Sequence, residues 1–340
     1  MKHTRFFTFL LLLTAVTAAC GKTPQDGPDS QFPVLSVATL NVDGLPERVL
    51  FVKVNPDGPG SRYTPVIGAQ LLQGDYDFIA VQENFNYADA LFTMMDGAYY
   101  HDTWRGGIPG AGVDDKTTAF NTDGLNGFWK KGALLITGET ITPWSVSYGR
   151  VDHANDALIN KGFRRYEMLM AESRREVVIY NMHMDASDEA DEATGEDVPD
   201  QAARMQQWTE LRDDILLRLD NRPVIVLGDL NTFYEHDDVK TLFFDAIEKS
   251  GQATAHDVYI ELECGGEFPA LEKGPVSYPQ RDGWLAKGET LDKILYINPV
   301  GGSQLQPVSF RVIRETFTRE DGITPLGDHY PVQAQFRIVP

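Results

Sequence analysis

The chain has 340 residues, 42% hydrophobic and 11% aromatic, which excludes a disordered or fibrous polypeptide and leaves room for one large domain. Fifty acidic residues against 30 basic ones give a net charge of −20, so long-range repulsion disfavours tight, nonspecific binding to nucleic acid. No segment repeats along the chain, which excludes a solenoid or a propeller.

The first residues differ from the rest. Lys2 and Arg5 precede an apolar run, Phe6 to Ala19, that ends in Thr17-Ala18-Ala19-Cys20. The run is short for a bilayer span and has the layout of an export signal. Its end resembles a bacterial lipoprotein cleavage box with Cys20 as the lipidated residue; plain secretion is the alternative. The expected division is a signal peptide over 1–19, a lipidated Cys20 with a Pro/Gly/Asp-rich tether over 20–33, and one catalytic domain over 34–340. The protein is then exported and held at a bacterial cell envelope. With Cys20 carrying lipid, Cys264 cannot form a disulfide within the chain, and it is expected to be a small buried residue.

Val34 to Leu40 is a β-rich run that ends at Asn41. Thr64 to Gln73 reads as a helix closed by Gly74, and Phe78 to Val81 as a buried strand that delivers Gln82 and Glu83. Gly106 to Gly127 is expected to be a long loop. Ala133–Thr137, Arg165–Ala171 and Val177–Met182 are further strands, the last delivering His183. Asp185 to Asp200 holds eight carboxylates and no Lys or Arg, and is read as a solvated loop, with a second divalent-ion site as the alternative. Asp200 to Leu219 is a long helix with Trp208, Leu211, Ile215 and Leu219 on one face, and Pro223 stops it. Val224 to Leu227 is a strand that presents Gly228-Asp229-Leu230-Asn231. Leu291–Ile297, Phe310–Ile313 and Tyr330–Ile338 complete the strands. Without strict βαβ alternation, the pattern predicts an α/β (α+β) fold of two mixed sheets packed together with helices outside, a four-layered sandwich.

Asn41, Glu83, His183, Asp229 and Asn231 each fall just past a hydrophobic strand, where a group is both exposed and held. Asn41 and Glu83 offer hard oxygen ligands for a small divalent cation such as Mg²⁺, with Mn²⁺ as an alternative. Asp229 and Asn231, two apart in an extended segment, point the same way, suited to orienting water and bonding a phosphoryl oxygen. Asp328-His329 places an imidazole beside a carboxylate. His329 can take a proton from water near neutral pH, Asp292 can fix its tautomer, and Asp328 can lean towards the metal. His183 is a second imidazole suited to stabilising a phosphoryl oxygen or protonating a leaving group. For each position alone a turn, a solvated strand end or a core histidine is the competing reading.

The ordered series Asn41, Glu83, His183, Asp229/Asn231, Asp292 and Asp328-His329 resembles the motif series of the endonuclease/exonuclease/phosphatase superfamily across nearly the whole chain after the tether. Gly327 stands where many members have Ser. Asn160-Lys161-Gly162-Phe163 and Asn41-Val42-Asp43-Gly44-Leu45-Pro46 are similar to segments of neutral sphingomyelinase-like secreted members. The resemblance implies a Mg²⁺-dependent phosphodiesterase of phospholipase C type. Asn41 and Glu83 would hold the metal, His329 would activate water, and Asn231 and His183 would stabilise the phosphorane. It also suggests Asp123 as a partner that orients His183, and Lys161 as a phosphate contact, though a Lys before Gly also serves turns. A phospholipid and, through Cys20, a membrane are the expected partners. Trp129, Trp144 and Trp284 could touch lipid from loops, but a place in the core is the leading reading for each. Competing functions are a secreted nuclease, an inositol-phosphate phosphatase using Arg164-Arg165 and Arg174-Arg175, and a surface binding module without catalysis.

Overall fold

Strand alternation determines how the chain layers. In the computed structural model, residues 32–114, 122–149, 156, 159–186, 198–232, 234, 238–268 and 291–340 are described. The expected signal peptide, Cys20, most of the tether and Trp284 lie outside them. In chain order the strands are β1 (Val34–Asn41), β2 (Arg48–Val49), β3 (Val52–Lys53), β4 (Phe78–Gln82), β5 (Tyr99–His101), β6 (Asn126–Lys130), β7 (Leu134–Pro143) and β8 (Gly162–Met170). They continue with β9 (Glu176–His183), β10 (Val224–Asp229), β11 (Ala253–Asp257), β12 (Asp292–Pro299), β13 (Gln304–Val312) and β14 (Val332–Val339). The longer helices are α1 (Gly60–Gln73), α2 (Ala88–Met95) and α3 (Val198–Arg218).

Two six-stranded mixed sheets result, ordered β13-β14-β1-β4-β6-β5 and β11-β12-β10-β9-β8-β7. In β1, Leu35 and Val37 face the second sheet, while Ala38 and Leu40 pack on Ile67 and Leu71 of α1 and Leu91 of α2. In β10, Ile225 and Leu227 face the first sheet, and Val224 and Val226 pack towards Trp208, Leu211 and Ile215 of α3. Successive side chains of a strand point to opposite faces, so strands apolar on both faces need cover on both sides. The outcome is helix, sheet, sheet, helix, as expected. The α3 stripe, including partly buried Leu219, is the one expected from its spacing.

Several boundaries differ. α1 begins a turn before Thr64, whose hydroxyl donates to the carbonyl of Gly60 at 2.7 Å. The expected long loop ends earlier, because β6 starts at Asn126 and pairs antiparallel with β4. Helix α2, β5 and the small β2–β3 hairpin carried too little periodicity to be anticipated. Asp185 is fully buried, accepting from Gln207 Nε2 at 2.8 Å and from the Tyr148 amide at 2.6 Å, and Asp200 is buried too. The ends of that acidic stretch are therefore built into the fold and are not solvated.

Candidate active site

The alternation that builds the inter-sheet core also builds the site. β1 runs parallel to β4 with Asn41 opposite Gln82, and β9 runs parallel to β10 with His183 opposite Asp229. Asp292, the first residue of antiparallel β12, also lies opposite Asp229. Asn41 shares parity with Leu35 and Val37, His183 with Val177 and Ile179, Asp229 with Ile225 and Leu227, and Asp292 with Ile294 and Tyr296. One inner face is thus apolar along its length and polar at one rim. Between the two zones Gln82 Nε2 donates to Asn181 Oδ1 at 2.8 Å and to Thr39 Oγ1 at 3.0 Å. Asn181 Nδ2 in turn donates to the carbonyls of Val81 and Asn126. This satisfied amide layer holds the two sheets in register beneath the site.

The backbone at the rim is specialised. Gly228 has φ +150°, and a Cβ there would lie 2.1 Å from the carbonyl oxygen of Met182, so the Gly-Asp pair is required for β10 to approach β9. Asp43, Glu83 and Asn231 hold positive φ of 51°, 54° and 45°, conformations that cost energy in L-residues and persist where surrounding contacts enforce them.

The side chains converge. Asn41 Nδ2 donates to Glu83 Oε1 and to Asp229 Oδ2, both at 3.0 Å, and its Oδ1 accepts the Asp43 amide at 3.0 Å. Asp229 Oδ2 stands 3.5 Å from His183 Nε2 and 3.6 Å from His329 Nε2. His183 Nε2 is also 3.9 Å from Glu83 Oε1. His329 Nδ1 meets Asp292 Oδ2 at 2.8 Å. The Asn231 amide donates to Asp229 Oδ1 at 3.2 Å, and its Nδ2 to the Met184 carbonyl at 3.2 Å. All eight expected positions gather at this rim, Asp328 included, whose charge bears on both Glu83 and Asp43.

Electrostatics divides the site in two. Burial, then Asp328 and Glu83, push Asp43 up to about 8, and burial with Asp328 pushes Glu83 up to about 7. Asp229 behaves oppositely. Burial would raise it, but His329, His183 and the Asn41 amide hold it below the usual carboxylate range. Burial and Lys161 push His183 well down, so its imidazole is neutral. Burial works against a charged His329, yet Asp292 and Asp229 hold it well above the usual histidine value.

Three residues emerge that strand-end reasoning missed. Asp43, buried in the turn after β1, accepts a hydrogen bond from Asn55 Nδ2. Asn-Val-Asp-Gly carried its only signal, and that reads equally as a turn. Asp156 forms a buried pair with Lys161 at 2.5 Å, and Lys161 Nζ also donates to the Met184 carbonyl at 3.2 Å, the same oxygen that Asn231 uses. Lys161 is therefore no surface turn residue. Gly162 beside it is needed because a Cβ would lie 2.2 Å from the Thr142 carbonyl.

Other expectations are corrected. Asp123 does not orient His183, because its two oxygens are taken by Arg164 Nη2 and Nε at 2.8 and 2.9 Å. Arg164 is fully buried against Asp102 as well, and Arg165 pairs with Glu167, so neither is free for substrate phosphates. Trp129 and Trp144 lie in the core. Cys264 is half-buried.

A hard cation fits one half of this rim. Glu83, Asp43 and Asp328 repel one another, and a divalent ion among them would remove the repulsion that raises two of them. Asn41 is a weaker ligand than expected, because its donors hold Glu83 and Asp229 and its oxygen holds the Asp43 amide. Asp229, Asp292 and His329 also lie close enough together to hold a metal. The His329 Nδ1–Asp292 bond leaves Nε2 facing Asp229, an arrangement that serves a proton-relaying pair and equally a ligating histidine steadied by a carboxylate.

A family model described as Endonuclease/Exonuclease/phosphatase family matches residues 38–296. No curated protein matches the chain by sequence. Among solved structures the chain is similar to D. rerio TDP2 complexed with single strand DNA product, at 13% identity and a TM-score of 0.60, over 89% of this chain and 99% of that one. It is also similar to a family protein from Bacteroides thetaiotaomicron, at 18% identity and 0.58, over 91% and 99%. The human Nocturnin catalytic domain with bound sulfate anion aligns at 14% identity and 0.59, over 92% and 98%. At such identities these likenesses speak to fold alone.

Proposed function

The chain belongs to the endonuclease/exonuclease/phosphatase family, whose members are metal-dependent phosphodiester hydrolases, and from that premise we propose that it is a phospholipase C-like enzyme cleaving a phospholipid such as sphingomyelin. The observation that carries the substrate class is the sparse positive charge at the rim among the described residues. Lys161 is the one Lys or Arg among the main charge influences on Glu83, His183 and Asp229. One ammonium suits one phosphodiester, whereas a polyphosphate or a nucleic-acid backbone calls for several cations, and the chain as a whole is at −20. Export and a lipid anchor at Cys20 agree with such a substrate and are part of the proposal.

Glu83, Asp43 and Asp328 would hold the divalent ion, Mg²⁺ by preference for an all-oxygen set, with Asn41 fixing Glu83 against Asp229. The ion supplies charge stabilisation for the phosphoryl oxygens and the departing alkoxide. Asp292 and Asp229 hold His329 protonated in the metal-free site. With a cation's charge among Glu83, Asp43 and Asp328 offsetting that field, the neutral imidazole would take the proton of the attacking water, and Asp292 fixes its orientation. Asp229, held ionised, accepts a hydrogen bond from that water and orients it. Neutral His183 and the Asn231 amide donate to phosphoryl oxygens as charge builds. Lys161, anchored by Asp156, adds positive potential from below.

A nuclease is the second reading, favoured by the likeness to D. rerio TDP2 complexed with single strand DNA product. The test assays the full chain with Mg²⁺ on sphingomyelin, phosphatidylcholine, plasmid DNA and inositol polyphosphate. Lipid cleavage yielding the phosphorylated headgroup is the expected result. DNA cleavage without lipid cleavage would overturn the substrate class and leave the hydrolase chemistry standing.

A further inference from the structure

The most exposed apolar surface among the described residues is not on a helix or a sheet face but at the tip of the β2–β3 hairpin. Phe51 is 95% exposed, Leu50 72% and Val52 66%, three consecutive apolar side chains in water. The hairpin that carries them is ordered. Arg48 and Val49 pair with Lys53 and Val52, the Val54 amide donates to the Glu47 carbonyl at 3.0 Å, and the Leu50 amide donates to the Gly110 carbonyl at 2.9 Å. Leu50 takes a positive φ of 52° to make the turn. An apolar tip held out by backbone hydrogen bonds cannot relieve its exposure by folding back.

Its surroundings define what it meets. Arg48 and Lys53 stand at the base of the tip as an opposed pair, two cations on an element of a chain with net charge −20. Beyond Val54, Asn55 donates to Asp43, so the hairpin is joined to the cation-binding half of the site by one side-chain bond. On the neighbouring loop Arg319 Nη2 donates to the Asp57 carbonyl at 2.7 Å, and Ile323 of that loop is 82% exposed. Glu47, Asp57, Asp114, Glu320 and Asp321 are acids of the same region among the described residues; Asp114 accepts the Asp89 amide, Glu320 is paired with Arg62, and Asp321 is bonded by Thr324 and by backbone amides.

We infer that the β2–β3 hairpin is a membrane-docking tip, in which Leu50, Phe51 and Val52 enter the acyl boundary of a lipid surface while Arg48 and Lys53 lie at its anionic headgroups. The inference rests on the lipid-substrate reading in that docking the tip delivers a headgroup to the rim through the Asn55–Asp43 link. Apolar side chains with a pair of cations at their base partition into an interface by area burial plus attraction to anionic lipid. A nucleic-acid strand fits less well, since two of the three tip residues are aliphatic and offer no face on which a base can stack. Against a protein partner, the Arg48 and Lys53 pair at the base of an apolar tip matches the layering of acyl chains beneath anionic headgroups.

The experiment uses the full chain with Cys20→Ser and Cys264→Ser, so that a single cysteine introduced by Phe51→Cys carries an environment-sensitive fluorophore. The control carries it through Leu217→Cys, 82% exposed on α3. Vesicles are of phosphatidylcholine with added phosphatidylserine and a nitroxide-labelled lipid. The expected result is a blue shift and nitroxide quenching at position 51 with no change at 217. A Leu50→Asp/Val52→Asp variant of the labelled chain should lose the shift. In unlabelled protein Leu50→Asp/Phe51→Asp should lower vesicle hydrolysis about 100-fold or more, the loss expected from two buried side chains, and leave hydrolysis of a soluble phosphodiester unchanged. Equal signals at 51 and 217, no signal at 51, a shift at 51 without vesicles, or a shift on single-stranded DNA alone would each overturn the inference. Insertion at 51 with no lipid cleavage would support the docking tip and remove the lipid substrate, so the two readings fail separately.

Discussion

The two halves of the rim hold similar residues in opposite states. On one side Asp43, Glu83 and Asp328 crowd together, and their repulsion in a buried setting lifts Asp43 to about 8 and Glu83 to about 7. On the other, Asp229 is more deeply buried than Glu83 or Asp328 but sits 3.5 and 3.6 Å from two imidazoles and 3.0 Å from an amide donor, and it stays ionised. Burial raises a carboxylate in both cases, so the neighbours decide the outcome. The first half is built for a cation that it must acquire, whereas the second carries its compensating charge within the fold. This division separates binding from proton transfer across a distance that Asn41 spans with one amide group.

The comparison can be broken most sharply at His329. His329→Ala should lower kcat about 10³-fold at saturating Mg²⁺, with metal dependence unchanged, as read by initial rates on a soluble phosphodiester. Asp292→Asn should reproduce much of that loss, since it removes the group that fixes the His329 tautomer. An equal loss of metal affinity in either variant would mean that the two halves do not act separately.

The next effect contrasts Glu83→Gln with Asp229→Asn. Glu83→Gln should raise the Mg²⁺ concentration for half-maximal activity about 10- to 100-fold. Asp229→Asn should lower kcat at saturating metal and leave that concentration nearly constant. Titration of activity against Mg²⁺ for both proteins distinguishes them.

Lys161→Met tests the ground beneath both halves. It strands the Asp156 carboxylate, 2% exposed, and should cost about 3–5 kcal/mol of stability in denaturant unfolding. Asp156→Asn/Lys161→Met should recover much of this. A Lys161→Met protein of unchanged stability would place the lysine in a solvated setting.

The smallest effect is a pH dependence of the metal-free protein. The folded values of Asp43 and Glu83 are raised, so their contribution is fully present below the ordinary carboxylate values and is lost as pH rises through about 7 and 8. In EDTA, Tm should therefore fall on going from mildly acidic to mildly alkaline buffer. Glu83→Gln should flatten the fall, and added Mg²⁺ should oppose it most at the alkaline end, as read by calorimetry. A Tm that rises over the same interval would contradict the crowding of these acids.

Much of the site was legible because strand ends are local features. Val37-Ala38-Thr39-Leu40-Asn41 and Val224-Ile225-Val226-Leu227-Gly228-Asp229 state in themselves a buried strand and the polar residue that leaves it. Alternation then assigns Asn41, His183 and Asp229 to one face, since each shares parity with core residues of its own strand. α3 and the central strands were equally plain, because their apolar spacing exceeds what a loop would carry. Helix α2 and the β2–β3 hairpin were not, being short and lacking a clean period.

What tertiary structure alone decided is which groups compensate which. The family resemblance suggested Asp123 as the partner that orients His183, yet Arg164, buried between Asp102 and Asp123, takes both of its oxygens. Asp43 looked like part of a turn and becomes an acid of the site only because Glu83 and Asp328 arrive from remote strands. Trp129 and Trp144 are core, the reading favoured for each, while Leu50 and Phe51 in a short hairpin project into water. Local sequence determines where a side chain leaves its strand, because that follows from backbone periodicity. It does not determine the field that side chain meets, because charge and burial are set by segments that come together only when the two sheets pack.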